Sequence, residues 1–268
     1  CKRTTDDQAR QFFLTDDWQI QSSDSIKTTG DLISTEGFVP EKWYKTTVPA
    51  TVLSVLVDNN VYPDPFFGMN LRSIPGTDYD LYRNFSNLSM SEKSPFRVPW
   101  WYRTEFQLPA DYNNKSVQMH FRGINYRANI WLNGKLLADS TEVAGCFRVY
   151  EFDITDYAKF SGNNYLAVEV FAPRKDDLAI TWVEWNPAPP DKNMGIWHEV
   201  LLTASDPVKV RYPQVVTEFD LPSLEVAHLN VSAEVQNYSD KPVRGTLKGT
   251  IENIEFTKKV SLGANEVK

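Results

Sequence analysis

The chain has no apolar run long enough to span a bilayer, which takes about 20 residues, so no transmembrane helix is predicted. It also has no cluster of lysine and arginine. Its 35 acidic side chains outnumber the 28 basic ones, which gives a net charge of −7. Nucleic acids and anionic membrane surfaces are therefore poor partners for this protein.

Cysteine and histidine are scarce. The two cysteines, Cys1 and Cys146, stand too far apart in sequence for a disulfide framework, and Cys146 is expected to be a small core residue. The three histidines show neither an HExxH motif nor Cys/His pair spacing. Walker A and GxSxG motifs are also absent. We therefore predict no metal site and no cofactor.

What the chain does have is many aromatic residues, at 13%, and short runs in which apolar and polar residues alternate. This pattern indicates a β-sandwich. Trp18–Gln21 is predicted as an edge strand, and residues 52–57 as a short helix with Thr51 as its N-cap. Asn133-Gly134 predicts a type I′ hairpin, because both central residues of that turn need a positive φ. Further strands are predicted at 101–106, 117–121, 128–132, 135–137, 149–153, 165–171 and 199–203.

The composition changes near residue 206, beyond which tryptophan no longer occurs. Residues 237–242 are predicted as a hairpin turn between two strands of a second β unit. About five strands fit into this part, fewer than the seven of an immunoglobulin-type sandwich, so the second domain is predicted to be truncated. The strands of this part are predicted at 208–210, 215–219, 227–235, 245–251 and 254–260.

The segment 181–197 is the most informative part of the chain. It combines three tryptophans with three prolines, two carboxylates and two asparagines. Prolines exclude a strand interior, and three indoles are too much apolar surface for a disordered linker. A stiff loop of this kind suits a sugar, whose apolar ring faces stack on indoles while its hydroxyls need fixed polar partners. The alternative is a loop that plugs the end of the sandwich.

Glu184 and Asp191 are the carboxylates of this segment. A glycosidase needs two carboxyl groups at a defined separation, but one loop on a β-sandwich lacks a second wall that would enclose the sugar. We therefore predict that both act as acceptors, either for sugar hydroxyl or amine groups at the rim of a site or for backbone N–H groups that stabilise the loop.

The first residue is Cys1. A chain that begins at cysteine resembles a mature bacterial lipoprotein, in which the signal peptide is removed just before a lipid-bearing cysteine. Under this interpretation residues 1–10 are a tether, and the protein is exported to the periplasm or the cell surface. The alternative is that the boundary at Cys1 has no biological meaning.

Five phrases carry a family resemblance, in this order: Tyr62–Asn70, Trp100–Phe106, Phe121–Gly134, Phe152–Thr155 and Trp185-Asn186-Pro187 through Gly195-Ile196-Trp197. Together they resemble the N-terminal sugar-binding domain of glycoside hydrolase family 2. The segment from Trp185 to Trp197 is similar to the branch that contains exo-β-D-glucosaminidases and β-mannosidases.

The resemblance implies an all-β fold: a galactose-binding-like jelly roll over residues 11–205, followed by a truncated immunoglobulin-like sandwich over residues 206–268. A catalytic (β/α)₈ barrel would follow, so the resemblance places no catalytic residue in this chain. In the mannosidase relatives an Asp-Trp pair of this domain helps to bind the terminal sugar. Glu184 and Trp185 occupy the matching positions, and Asp191 and Asn193 are further substrate-binding predictions.

The sequence thus predicts the non-catalytic N-terminal portion of an exported retaining β-glycosidase that acts on terminal β-linked sugars such as β-glucosaminides or β-mannosides. Its partners would be that carbohydrate and the catalytic barrel of the same polypeptide, with the loop 182–197 at the rim of the active site. Two alternatives remain open, a free-standing carbohydrate-binding module and a purely architectural β-sandwich.

Overall fold

The computed structural model describes residues 11–77, 88–179 and 187–268. As predicted, the protein is all-β, with 42% of residues in strands and 9% in helices. It divides into a first unit of residues up to 113 and from 117 to 203, and a second unit of residues 114–116 and 204–268. No helix in the described ranges is long and apolar enough to cross a membrane.

The strands before residue 206 are β1 (Gln11–Phe13), β2 (Trp18–Ser22), β3 (Tyr44–Thr46), β4 (Ala50–Thr51), β5 (Trp100–Phe106), β6 (Ser116–Phe121), β7 (Ile124–Asn125), β8 (Arg127–Leu132), β9 (Lys135–Ala138), β10 (Tyr150–Asp153), β11 (Asn164–Phe171), β12 (Gly195–Ile196) and β13 (Val200–Ser205). They form a four-stranded sheet in the order β1-β13-β6-β10, a six-stranded sheet in the order β3-β2-β5-β11-β8-β9, and a small sheet in the order β4-β12-β7. Within the described ranges, two α-helices accompany them, α1 (Gly30–Ile33) and α2 (Val52–Asp58).

The strands predicted before residue 206 are present, with bounds shifted by one or two residues. β2 is not the edge strand that the sequence predicts, because β3 pairs with it on one side and β5 on the other. The three-residue strand β3, Tyr44–Thr46, is too short to show an alternating pattern in the sequence. β2 therefore lies inside the six-stranded sheet, and Trp18 and Ile20 are fully buried.

Strand β8 shows how alternation builds the core. Ala128, Ile130 and Leu132 are fully buried, whereas the residues between them are half-buried. The strand then turns at Asn133 and Gly134, whose φ angles of 52° and 82° confirm the positive values that the predicted hairpin needs. The buried Cys146, at 1% exposure, confirms the prediction of a small core residue.

Helix α2 begins where the sequence predicts. The Thr51 Oγ1 atom accepts a hydrogen bond from the Ser54 N–H at 3.3 Å, and the Ser54 Oγ atom accepts one from the Thr51 N–H at 3.0 Å. This reciprocal capping box satisfies two backbone donors at the start of the helix. It fixes the first turn of α2 next to the small sheet of β4, β12 and β7.

The strands of the second unit are β14 (Val208–Phe219), β15 (Ala227–Asn237), β16 (Val243–Ile251) and β17 (Ile254–Leu262). The prediction of separate strands at 208–210 and 215–219 is wrong, because both belong to β14, which continues past a register shift between Arg211 and Gln214. The structure pairs β14 with β15 and β16 with β17. The prediction that residues 237–242 form a hairpin turn is therefore wrong. The Asn237 side chain, which is fully buried, instead ties this connection together by donating to the carbonyl oxygens of Lys241 and Gly263.

Candidate functional site

Two of the four predicted sugar-binding residues belong to the part of the chain that the structure describes. Glu184 and Trp185 lie outside the described residues. Asp191 and Asn193 lie in the segment 187–194, which leads into strand β12. The described part of the site is therefore the base of the predicted loop, and its geometry shows how this base is held.

The Asp191 carboxylate is buried, with 1% of the residue exposed. Its Oδ2 atom accepts a hydrogen bond from the Leu53 N–H at 2.9 Å, and its Oδ1 atom accepts one from the Asn193 N–H at 2.9 Å. Leu53 belongs to the first turn of α2, so the carboxylate joins the loop to the helix. Of the two roles that the sequence leaves open for Asp191, this geometry supports the loop-stabilising one.

Burial raises the pKa of Asp191 to about 6, because the charged form loses its hydration, although the N–H groups of Leu53 and Asn193 work in the opposite direction. The nearby Tyr102 hydroxyl is buried as well, and burial together with the Asp191 charge raises the pKa of that tyrosine. The Tyr102 hydroxyl donates to the Ala50 carbonyl at 3.0 Å. The base of the loop is thus a dry polar cluster.

Asn125 of β7 holds the same turn from the other side. Its Nδ2 atom donates to the carbonyl oxygens of Lys192 and Asn193, both at 2.9 Å, and the residue is 1% exposed. Lys192 and Asn193 have φ angles of 51° and 56°, in the left-handed region that non-glycine residues seldom adopt. The two hydrogen bonds from Asn125 compensate for that conformation by fixing both carbonyl groups.

Gly195 is required where the loop enters the sheet. It pairs with Thr51 of β4 and with Asn125 of β7, and its φ is 151°. A Cβ atom here would lie 2.6 Å from the Ala50 carbonyl oxygen and 2.6 Å from the Tyr102 hydroxyl. Glycine alone therefore lets the loop approach the helix cap this closely.

Trp197, the last tryptophan of the segment, has a structural role. Its Nε1 atom donates to the Cys146 carbonyl at 3.0 Å, and its ring packs edge-on against Phe147 at a centroid distance of 5.7 Å. Gly123 leaves room for this indole, because a Cβ atom there would lie 2.8 Å from the ring. Trp197 thus fixes the C-terminal end of the loop.

A cleft of about 560 Å³ lies beside the loop base. It is rich in cationic side chains. These come from distant parts of the chain and form no run in the sequence, so the sequence does not predict the cleft. The one local signal is the Arg174-Lys175 pair, shortly after the end of β11. The charged side chains that line the cleft are Arg97, Arg127, Arg174, Lys175, Asp176 and Lys192.

Two of these cations are set firmly in place. Arg127 makes two hydrogen bonds of 2.6 Å with the Asp177 carboxylate and lies over the Tyr126 ring at 4.8 Å. The Arg127 guanidinium lowers the pKa of Asp177. Lys192 is 6% exposed, and burial lowers the pKa of its ammonium group.

The described part of the cleft presents mainly hydrogen-bond donors. Asp176 is the one carboxylate that lines the cleft among the described residues, whereas glycoside hydrolysis takes two. Within the same ranges, no group of three or more His, Cys, Asp or Glu side chains could hold a metal ion. Guanidinium, ammonium and backbone groups remain, and these can donate hydrogen bonds to the hydroxyl groups of a sugar.

Comparisons with known proteins agree on one family. The family described as glycosyl hydrolase 2 galactose-binding domain-like matches residues 18–180. The exo-β-D-glucosaminidase of Streptomyces avermitilis is 32% identical over 252 residues, which cover 94% of this chain and 26% of that protein. The mannosylglycoprotein endo-β-mannosidase of Lilium longiflorum is 31% identical over 245 residues, which cover 83% of this chain and 24% of that protein.

A solved structure shows the same fold. The crystal structure of the Amycolatopsis orientalis exo-chitosanase CsxA superimposes with a TM-score of 0.80 at 30% identity and covers 96% of this chain and 28% of that protein. A further solved structure that matches this chain is the complex of the E541A variant of the same exo-chitosanase with PNP-β-D-glucosamine. The present chain spans about a quarter of the length of these relatives.

Proposed function

We propose, from the premise that this chain belongs to the glycosyl hydrolase 2 galactose-binding domain-like family, that it is the non-catalytic N-terminal portion of an exported β-glycosidase. The whole enzyme would remove terminal β-linked sugars, such as β-glucosaminide or β-mannoside residues. Relatives named exo-β-D-glucosaminidase support the removal of terminal β-glucosaminides, and the relative named mannosylglycoprotein endo-β-mannosidase supports action on β-mannosides.

We infer that bond cleavage takes place in a (β/α)₈ barrel of the same polypeptide, which would carry the acid/base and nucleophilic carboxylates. The second unit would be the start of an immunoglobulin-like domain that lies, in the order of the chain, between the first unit and the barrel. Two facts support this order of domains: the chain covers about a quarter of its relatives, and its described cleft lacks a carboxylate pair.

The observation that carries the proposal is the fixed base of the loop 182–197. Asp191, Asn125 and Gly195 hold residues 191–195 against α2 and the small sheet with buried hydrogen bonds and close packing. These fixed residues follow Glu184 and Trp185 closely in the sequence, and we propose that Glu184 and Trp185 contact the sugar.

Export through a lipid-bearing Cys1 belongs to the same proposal. The motivation is chemical, since a cysteine thiol can carry a lipid and the polar stretch Lys2–Asp7 lies next to it in the sequence. Metabolic labelling of the native protein with an alkyne fatty acid should mark it, and Cys1→Ser should abolish the label.

The proposed rim role is tested in the full-length enzyme with Glu184→Ala and Trp185→Ala. Loss of one substrate contact costs about 1–3 kcal/mol of transition-state binding, so kcat/KM on the preferred aryl β-glycoside should fall roughly 5- to 150-fold in each variant. Glu225→Ala, which removes an exposed carboxylate in the second unit, should leave kcat/KM unchanged. Unchanged kcat/KM in Glu184→Ala and Trp185→Ala would favour the purely architectural alternative instead.

A further inference from the structure

The six-stranded sheet has an outer face that is covered in part by the segment 23–43. The covering segment packs Ile33 and Trp43 against Trp101 and Ala167 of the sheet. Gly30 allows the close contact, because a Cβ atom there would lie 2.3 Å from the Trp131 ring. Beside this segment the sheet face remains open as a groove of about 770 Å³.

The floor of this sheet-face groove is rigid. Arg103 of β5 is 3% exposed, and its Nε atom donates to the Ile33 carbonyl at 3.0 Å. The guanidinium lies between the rings of Phe38 and Tyr165, at 5.7 Å and 5.3 Å from their centroids. A side chain held by both hydrogen bonds and stacking does not need to be ordered when a ligand arrives, which lowers the entropic cost of binding.

The groove and the cleft beside the loop base lie at opposite ends of the same strand. Tyr165, near the start of β11, lines the groove, whereas Phe171, at its end, lines the cleft. Six residues of strand separate them by about 20 Å, at roughly 3.3 Å per residue. A ligand in the groove would therefore be distinct from the sugar at the loop 182–197.

The walls of the groove offer two kinds of contact. Phe38, Val39 and Pro40 form an apolar edge, of which Val39 is 71% exposed. The carboxylates of Asp17, Glu36 and Glu105 are exposed on three different elements around it. Arg103 is buried and hydrogen-bonded to backbone carbonyls, so Lys45 is the exposed cation among the described residues that line the groove. The accessible charge is therefore negative.

We propose that this groove is a second carbohydrate-binding site, for an oligosaccharide segment that carries amino groups. The apolar edge takes the C–H face of a sugar ring, the amides of Gln19 and Gln107 meet its hydroxyls, and the exposed carboxylates pair with its ammonium groups. The volume lies in the range of about 300–1,000 Å³ that is usual for small-ligand sites. The choice of an amino sugar rests on the proposed function, whereas the groove itself is separate from the loop 182–197, so failure of the proposed rim role would not remove this site.

The test is calorimetric titration of the 268-residue chain with a β-1,4-linked glucosamine tetramer and with its fully N-acetylated counterpart. The variant E36Q/E105Q removes two groove carboxylates. The control E92Q/E225Q removes two exposed carboxylates elsewhere and has the same net charge. All four positions are exposed, so thermal unfolding should be the same in both variants.

We expect the wild type and E92Q/E225Q to bind the glucosamine tetramer equally, and E36Q/E105Q to bind it roughly 2- to 30-fold more weakly, as two exposed ion pairs allow. Added salt should weaken binding, and the N-acetylated tetramer should bind less tightly. Equal binding of the two tetramers, equal loss in both double variants, wild-type affinity in E36Q/E105Q, or no binding to the wild type would each overturn the proposal.

Discussion

Asp191 is the residue on which the loop base depends most. A carboxylate buried next to two backbone N–H groups and a tyrosine hydroxyl is under opposing influences, since burial favours the neutral form and the N–H donors favour the charged one. Burial is the stronger influence here. Asp191 is therefore a structural carboxylate whose ionisation bears on how firmly the loop is held.

Asp191 should make stability depend on pH in a defined direction. Its folded pKa of about 6 lies above the unfolded value of about 3.9, so the folded chain binds this proton more tightly. The contribution of Asp191 to the stability of the fold is therefore complete below about pH 4 and is lost as the pH rises through about 6. The free energy of unfolding can be measured by urea denaturation, followed by tryptophan fluorescence. When the pH is lowered from 7 to 4.5, this free energy should rise by about 1–3 kcal/mol more in the wild type than in Asp191→Asn.

The control for this titration is Asp177→Asn. The ion pair with Arg127 lowers the pKa of Asp177, so its contribution is lost only below the unfolded value of about 3.9. The difference in the free energy of unfolding between the wild type and Asp177→Asn should therefore stay constant from pH 7 to pH 4.5. A constant difference for Asp191→Asn as well would show that the pKa of Asp191 is not raised in the folded state.

At the scale of elements, the Asn125 side chain joins β7 to the loop residues Lys192 and Asn193. Asn125→Ala removes the two hydrogen bonds to the Lys192 and Asn193 carbonyls, which are then left without this donor. We expect the free energy of unfolding to fall by about 2–4 kcal/mol, and kcat/KM of the full-length enzyme to fall as the rim loop loses its fixed base.

A control must separate the effect of lower stability on activity from the effect of a disturbed loop at the rim of the active site. Ile130→Ala opens a cavity at a fully buried position of β8, and such a change costs about 2–5 kcal/mol. Assayed well below its unfolding temperature, Ile130→Ala should keep the wild-type kcat/KM. Equal activity in Asn125→Ala and Ile130→Ala would mean that the loop base does not support catalysis.

The sequence predicted local features better than long-range ones. Alternation located strands such as β5, β8 and β11, and Thr51 and Asn133-Gly134 marked a helix cap and a turn, because each depends on neighbours in the chain. The pairing of β2 with β3, the contact between Asp191 and α2, and the two hydrogen bonds of Asn125 join residues far apart in sequence. No periodicity encodes such contacts, so these features required the structure.

The cleft and the groove illustrate the same limit. Arg97, Arg127 and Lys192 converge on one cleft from three separate segments, and Glu36 and Glu105 meet at one groove in a similar way. In the sequence these charges are scattered and none forms a run. A sequence without a charge cluster can therefore still produce a locally charged surface once the sheet brings its strands together.

At the scale of the whole molecule, the two units differ in how much apolar surface they bury. The first unit has a continuous core of fully buried residues, including Ile20, Met119 and Ile130. In the second unit, by contrast, large apolar side chains such as Val215, Phe219 and Ile254 are 51%, 53% and 61% exposed. Two-stranded hairpins are marginal on their own, which fits the proposal that the second unit is the start of a larger sandwich.

The central claim is that this chain shapes a carbohydrate site whose cleaving groups lie elsewhere in the polypeptide. The most direct measurement compares the purified 268-residue chain with the full-length protein on p-nitrophenyl β-D-glucosaminide and β-D-mannoside. The full-length protein should release p-nitrophenol from at least one of them, and the 268-residue chain from neither. Turnover by the 268-residue chain itself would contradict the account.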